Sequence, residues 1–89
     1  MLVVSVDEFN ESGAGQVLVV PLTSRDPKTP FGVPVSPPLG GLTVASWIRC
    51  DAPHTVSTDR LLRRLGVVPP ATMEEVLARL LALLTRARP

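Results

Sequence analysis

The chain has 89 residues, 45 % of them hydrophobic, and a formal net charge of +1. That is room for one domain near the lower end of what folds unaided, with enough apolar side chains to exclude a disordered tail. No global field steers it to nucleic acid or membrane, and two Phe, one Trp and no Tyr are too few rings for a platform that stacks several bases.

Residues 2–6 (LVVSV) form a short, β-branched apolar run, read as a strand buried on both faces. This N-terminus has no basic region and its apolar run breaks at Asp7, so it is expected to be neither a signal peptide nor a membrane span. Residues 7–15, polar and glycine-bearing, read as a turn or brief helical loop. Residues 16–22 (QVLVVPL) are a second buried strand, which must end, bulge or meet an edge at Pro21, where no N–H is available for a ladder. A polar, proline-bounded loop follows over residues 23–30. Residues 31–35 and 42–48 are the third and fourth strands, separated by the turn SPPLGG. Residues 49–57 are ambiguous because Pro53 lies within them.

Two helices close the chain. Ser57 or Thr58 can cap a short one over residues 59–65, with Gly66 as its left-handed stop. In the second, Thr72 and Glu75 have capping-box spacing, and Val76, Leu77, Leu80, Leu81 and Leu84 share one face. Glu74 and Glu75 near its start and Arg86 and Arg88 near its end complement the helix dipole. Short strands first and helices last make the fold mainly β: a small antiparallel barrel with a short helix and a C-terminal amphipathic helix packed on it.

Few side chains carry chemistry by themselves. Cleaving RNA without a metal requires a base for the 2′-OH, an acid for the leaving 5′-oxygen and a cation for the phosphorane charge. Thr23, Ser24 and Arg25 place two hydroxyls and a guanidinium at the mouth of a buried strand, a phosphate site in outline. The plainer reading is a hydroxyl-capped turn closing the strand, with Arg25 solvated. His54 is the sole histidine, without a second histidine or cysteine beside it, and reads as a loop residue. Cys50 is the sole cysteine. It offers no disulfide and no metal-ligand spacing, fits a reducing, cytoplasmic setting, and reads as a small buried hydrophobe. Arg60, Arg63 and Arg64 read as a solvated helix face.

The ordered set LVVSVDEFNESGAG, VLVVPLTSR, FGVPVSPP, ASWIRCD and TVSTDRLLRRLG resembles the MazF/PemK family of toxin–antitoxin ribonucleases over essentially the whole chain. The resemblance implies a compact, SH3-like, dimeric barrel that cuts single-stranded mRNA at short sequences without metal or other cofactor, leaving a cyclic phosphate and a 5′-OH. It also implies a cognate antitoxin with an acidic tail, with which such toxins bind DNA, and no membrane partner. The family's strand-end P-x-T threonine falls on Thr23 as the catalytic hydroxyl. Ser24 and Arg25 then border the RNA groove, with Lys28 the next cation. The family's acidic residue falls on Asp51. Where the family runs Gln-Ile-Arg this chain has Ala52, Pro53 and His54, so His54 stands at the place of an RNA-facing arginine.

Family members begin with a strand and loop of the type R-G-x-x-W-x-V-D, followed by Gly-Arg-Arg-Pro. The expectation is therefore a single domain, 1–89, lacking that first strand and loop, and with them the family's catalytic arginine. A start codon placed too late and a decayed toxin gene both account for this. Two further functions stay open: an inactive toxin that still dimerises or binds antitoxin, and a gyrase-poisoning toxin on the same fold. The latter relies on an aromatic terminus, whereas this chain ends Arg86-Ala87-Arg88-Pro89.

Overall fold

The computed structural model describes residues 1–60 and 67–85. In chain order the elements are β1 (Leu2–Val3), α1 (Asp7–Asn10), β2 (Gln16–Val20), β3 (Leu22–Thr23), β4 (Gly32–Val35), β5 (Ser46–Arg49), β6 (His54–Ser57) and α2 (Pro70–Thr85), with 3₁₀ turns at Leu39–Gly41 and Thr58–Arg60. The strands form two three-stranded antiparallel sheets, one ordered β1-β2-β6 and the other β3-β5-β4. Together they make the small SH3-like architecture expected, with α2 against its second sheet.

Pro21 is the joint between the sheets. The run expected as one strand over residues 16–22 is two, because proline has no N–H to continue a ladder and the chain turns there from the first sheet into the second. Its carbonyl still serves, accepting the Arg49 N–H at 2.8 Å. The first run is also shorter than residues 2–6. The Val4 N–H still reaches the Leu18 carbonyl at 2.9 Å, but the next ladder partner is a side chain: the Leu18 N–H donates to Ser5 Oγ at 3.0 Å. Ser5 Oγ also bonds Asn10 Oδ1, and Asn10 Nδ2 donates to the Ser5 carbonyl at 3.2 Å, so a side-chain network replaces the sheet and seats α1.

The expected strand over residues 42–48 is realised as Ser46–Arg49. Its length is set by its partner, since β4 offers only four residues, pairing Gly32 with Arg49 through Val35 with Ser46. Pro53 lies just ahead of β6, where its missing N–H costs no ladder bond, and the ambiguous stretch resolves into a turn and a strand.

One cluster, Val20, Val33, Val35, Ile48 and Cys50 with Val76 and Leu80 of α2, forms the main core. A second, Val17, Val19 and Val56, lies on the other side of β2. In α2 only Val76 and Leu80 of the expected stripe are buried, while Leu77, Leu81 and Leu84 are exposed. The capping box is not formed. The helix starts at Pro70, whose locked φ suits a first helical position, and the Met73 N–H bonds the Pro69 carbonyl at 3.1 Å, so Thr72 is already inside. Glu74 and Glu75 consequently lie past the first turn. The expected short helix at 59–65 begins as the Thr58–Arg60 turn, and the rest of it, with Arg63, Arg64 and Gly66, lies outside the described residues, as do Arg86 and Arg88. Among the described residues no helix is long and apolar enough to cross a membrane.

Candidate functional site

β3 and β5 pair with Leu22 opposite Ile48 and Thr23 opposite Trp47. Ile48 is buried in the core, so alternation along the strands sends Trp47, Arg49 and Thr23 to the outer face together. Thr23 ends its strand with the hydroxyl-capped turn expected of the plainer reading: Oγ1 accepts the Arg25 N–H at 3.2 Å. That bond uses a lone pair and leaves the hydroxyl proton free to donate outward.

The loop after Thr23 is folded back over the sheet rather than extended from it. Asp26 Oδ1 accepts the N–H of Lys28 at 2.8 Å, and Lys28 takes the left-handed conformation at φ 55°. Thr29 Oγ1 accepts the Phe31 N–H at 3.1 Å, and the Gly32 N–H donates to the Thr29 carbonyl at 3.2 Å. Gly32 is required by close approach: a Cβ there would lie 2.8 Å from Pro27 Cγ. On the far side, Arg79 of α2 donates from Nε to the Pro30 carbonyl at 3.0 Å and from Nη1 to the Glu75 carbonyl at 3.1 Å. The loop is thus seated on a glycine and tied to the helix.

Between loop and sheet lies a cleft of about 290 Å³, lined by Thr23, Arg25, Asp26, Pro27 and Arg49. Arg49 is held in a two-pronged pair with Asp51, Nη2 to Oδ2 at 2.9 Å and Nε to Oδ1 at 3.3 Å. These bonds hold the Asp51 carboxyl below its usual range and raise the guanidinium further, so both are charged at neutral pH. The pair leaves Nη1 of Arg49 available to an anion. Among the described residues Arg25 carries no ion pair. A larger hollow of about 550 Å³ lies between Pro38, Leu39, Val67, Val68, Pro69 and Pro70, and among the described residues its lining is apolar.

Of the residues singled out from sequence, Thr23 and Arg25 meet in the cleft, and Asp51 stands one partner behind it through Arg49. Ser24 and Lys28 are exposed on the loop but do not line the cleft. His54 begins β6 in the other sheet, opposite Val19, with Nδ1 3.1 Å from the Ala52 carbonyl. Cys50 is fully buried and burial pushes its thiol up, as suits a core side chain and not a nucleophile. Arg49, Asp26 and Gly32 were not anticipated. An alternating Arg-x-Asp at the end of a strand was the available signal for the first. Among the described residues no group of three His, Cys, Asp or Glu is placed to hold a metal ion.

Residues 1–84 match the family model described as the PemK-like, MazF-like toxin of type II toxin–antitoxin systems. The chain belongs to this family. Among solved structures, this MazF/PemK-family chain is similar to an endoribonuclease in complex with its cognate antitoxin from a mycobacterial species, with 31 % identity over 99 % of this chain and 82 % of that one at a TM-score of 0.82. It is similar to the toxin of a MazE–MazF crystal structure from Deinococcus radiodurans, with 28 % identity over 97 % of this chain and 84 % of that one at a TM-score of 0.80. The toxin MazF-mt6 of Mycobacterium tuberculosis shares the fold at a TM-score of 0.82, with 20 % identity over 98 % of this chain and 86 % of that one. The resemblance drawn from P-L-T-S-R and the segments around it therefore holds across nearly the whole MazF/PemK-family chain.

Proposed function

We propose that this chain is the toxin of a toxin–antitoxin pair and acts as a metal-independent endoribonuclease on single-stranded mRNA at short specific sequences. The supporting observation is the convergence of Thr23, Arg25 and Arg49 on one cleft, with Arg49 gripped from behind by Asp51. The 2′-OH gives its proton to solvent water as its oxygen attacks the adjacent phosphorus, the bond to the 5′-oxygen breaks, and that oxygen takes a proton from water, so that a cyclic phosphate and a 5′-OH result. The charge that develops on the non-bridging oxygens needs a fixed cation beside a hydroxyl donor, and Arg49 with Thr23 supplies that pair. Arg25 is the second phosphate contact, and Asp51 positions Arg49.

In this reading Arg49 does the work of the arginine that the family carries elsewhere in its pattern. Ser24, Lys28 and His54 lie outside the cleft. The partner proposed is an antitoxin with an acidic tail, docking near Arg25 and Lys28, and the toxin itself is proposed to be a homodimer. The mycobacterial and Deinococcus relatives in complex with their antitoxins support the first. The test is incubation of the purified chain with end-labelled single-stranded RNA in chelator, with mass spectrometry of the product ends. Cyclic-phosphate ends that vanish in Arg49→Met and Thr23→Ala are expected. Cleavage that both variants retain, or that needs added metal, overturns the assignment.

A further inference from the structure

A phosphate held in the cleft would carry no sequence information. Sequence must be read by something next to it, and Trp47 is so placed. It lies directly opposite Thr23 on one side and Pro34 on the other, and two residues from Arg49 on the same strand. All four side chains therefore share the outer face of the second sheet. Trp47 is partly exposed, Pro34 is exposed, and Trp47 belongs to neither cluster of the core. Helix α2 packs by Val76 and Leu80 against the opposite, Ile48-bearing face.

We propose that Trp47 is the base-reading subsite of this cleft, stacking one nucleobase of the RNA whose phosphate sits between Arg25 and Arg49. Directly paired residues hold their Cβ atoms about 5 Å apart and alternate residues of a strand are about 7 Å apart. The indole is thus one nucleotide's reach from the phosphate grip, with Thr23 between them at the sugar. Stacking is open to any base, while the edges left free meet the loop and supply the preference. A chain with one tryptophan and no tyrosine has few rings for a platform, and this one reads a single base beside the scissile phosphate. The proposal rests on RNA being the ligand of the cleft.

The same scarcity makes the test clean, because tryptophan emission from this chain reports Trp47 alone. A short single-stranded RNA made non-cleavable by 2′-O-methylation is titrated against the wild type. Binding is followed independently by anisotropy of a labelled end. Saturable quenching that coincides with the anisotropy curve is expected, and an oligomer abasic at a single position should lose it, as should inorganic pyrophosphate. Trp47→Leu should weaken RNA binding roughly tenfold and Trp47→Phe by less than about threefold, both leaving pyrophosphate affinity unchanged. Binding by anisotropy without any quenching overturns the role of Trp47 while leaving the ribonuclease reading intact. No binding of RNA by the wild type overturns both. The quenching arm needs no variant, so a Trp47→Leu chain that fails to fold does not spare the proposal.

Discussion

The two sheets of this protein are built from the same antiparallel pairing, but the proposed cleft lies on the second. Strand β2 of the first sheet is covered on both faces, Val17 and Val19 on one side and Val20 on the other. Strand β5 of the second alternates, Ser46 and Ile48 inward, Trp47 and Arg49 outward. Positions buried on both sides of a strand, as Val17, Val19 and Val20 are, are committed to packing and can carry no polar group without its full desolvation cost. A strand buried on one side sets its outward residues in a rigid row at fixed spacing, which is what a phosphate grip needs.

The contrast breaks most sharply at Arg49. Arg49→Met should lower the rate of RNA cleavage by about 10²–10³-fold, as expected for loss of one charge-stabilising group. It should shift the melting temperature little, since the pair it removes is partly exposed to solvent. A variant that melts early and cleaves normally would reverse the division of labour between the sheets. Val19→Ala is its mirror image. It removes two methyls from a fully buried site and should cost about 2 kcal/mol. Calorimetry should record a fall of roughly 10 °C, with cleavage at low temperature preserved.

Gly32→Ala sits on the boundary between the two regimes. The added methyl meets Pro27 and must push the loop off the sheet. We expect a loss of about 1–2 kcal/mol and a several-fold weaker grip on RNA, both read on one sample by melting and anisotropy. An affinity unaltered by the substitution would mean that the loop's seat does not shape the cleft.

The smallest effect is that of acid. Asp51 has its carboxyl depressed in the folded chain by the hydrogen bonds from Arg49. Its contribution is therefore present above the ordinary aspartate value of about 3.9 and lost as pH falls through the lower, folded value. Melting temperature should drop more steeply below that point in the wild type than in Asp51→Asn. Parallel curves would show the pair to be energetically silent.

The P-L-T-S-R run is legible because two of its residues have a local reason: proline cannot continue a ladder, and threonine caps the turn that follows. The β-branched runs marked most strands for the same reason. Arg49 is not legible, because the apolar pattern of the fourth strand ends at Ile48. Whether Arg49 joins it depends on long-range pairing, its N–H with the Pro21 carbonyl and its register with Gly32. Thr72 misled in the opposite way. Its spacing to Glu75 was right for a cap, but Pro70 had already begun the helix. The leucine stripe of α2 was read correctly as a stripe, yet only Val76 and Leu80 of it found the core, since periodicity tells which residues share a face and not how wide a contact awaits them.

Pro21 has a consequence beyond its turn. Because it ends the first sheet's central strand, every part of the cleft comes after it, within residues 22–51: the hydroxyl, the loop, its glycine seat, the tryptophan and the charged pair. The first sheet, by contrast, is stitched from chain segments as distant as Gln16 and Ser57. The cleft is thus a cassette, one uninterrupted stretch of coding sequence. Recombination between related toxin genes at its two ends can exchange the whole cleft at once, provided that Val33, Val35, Ile48 and Cys50 still fit the valine and leucine waiting on α2.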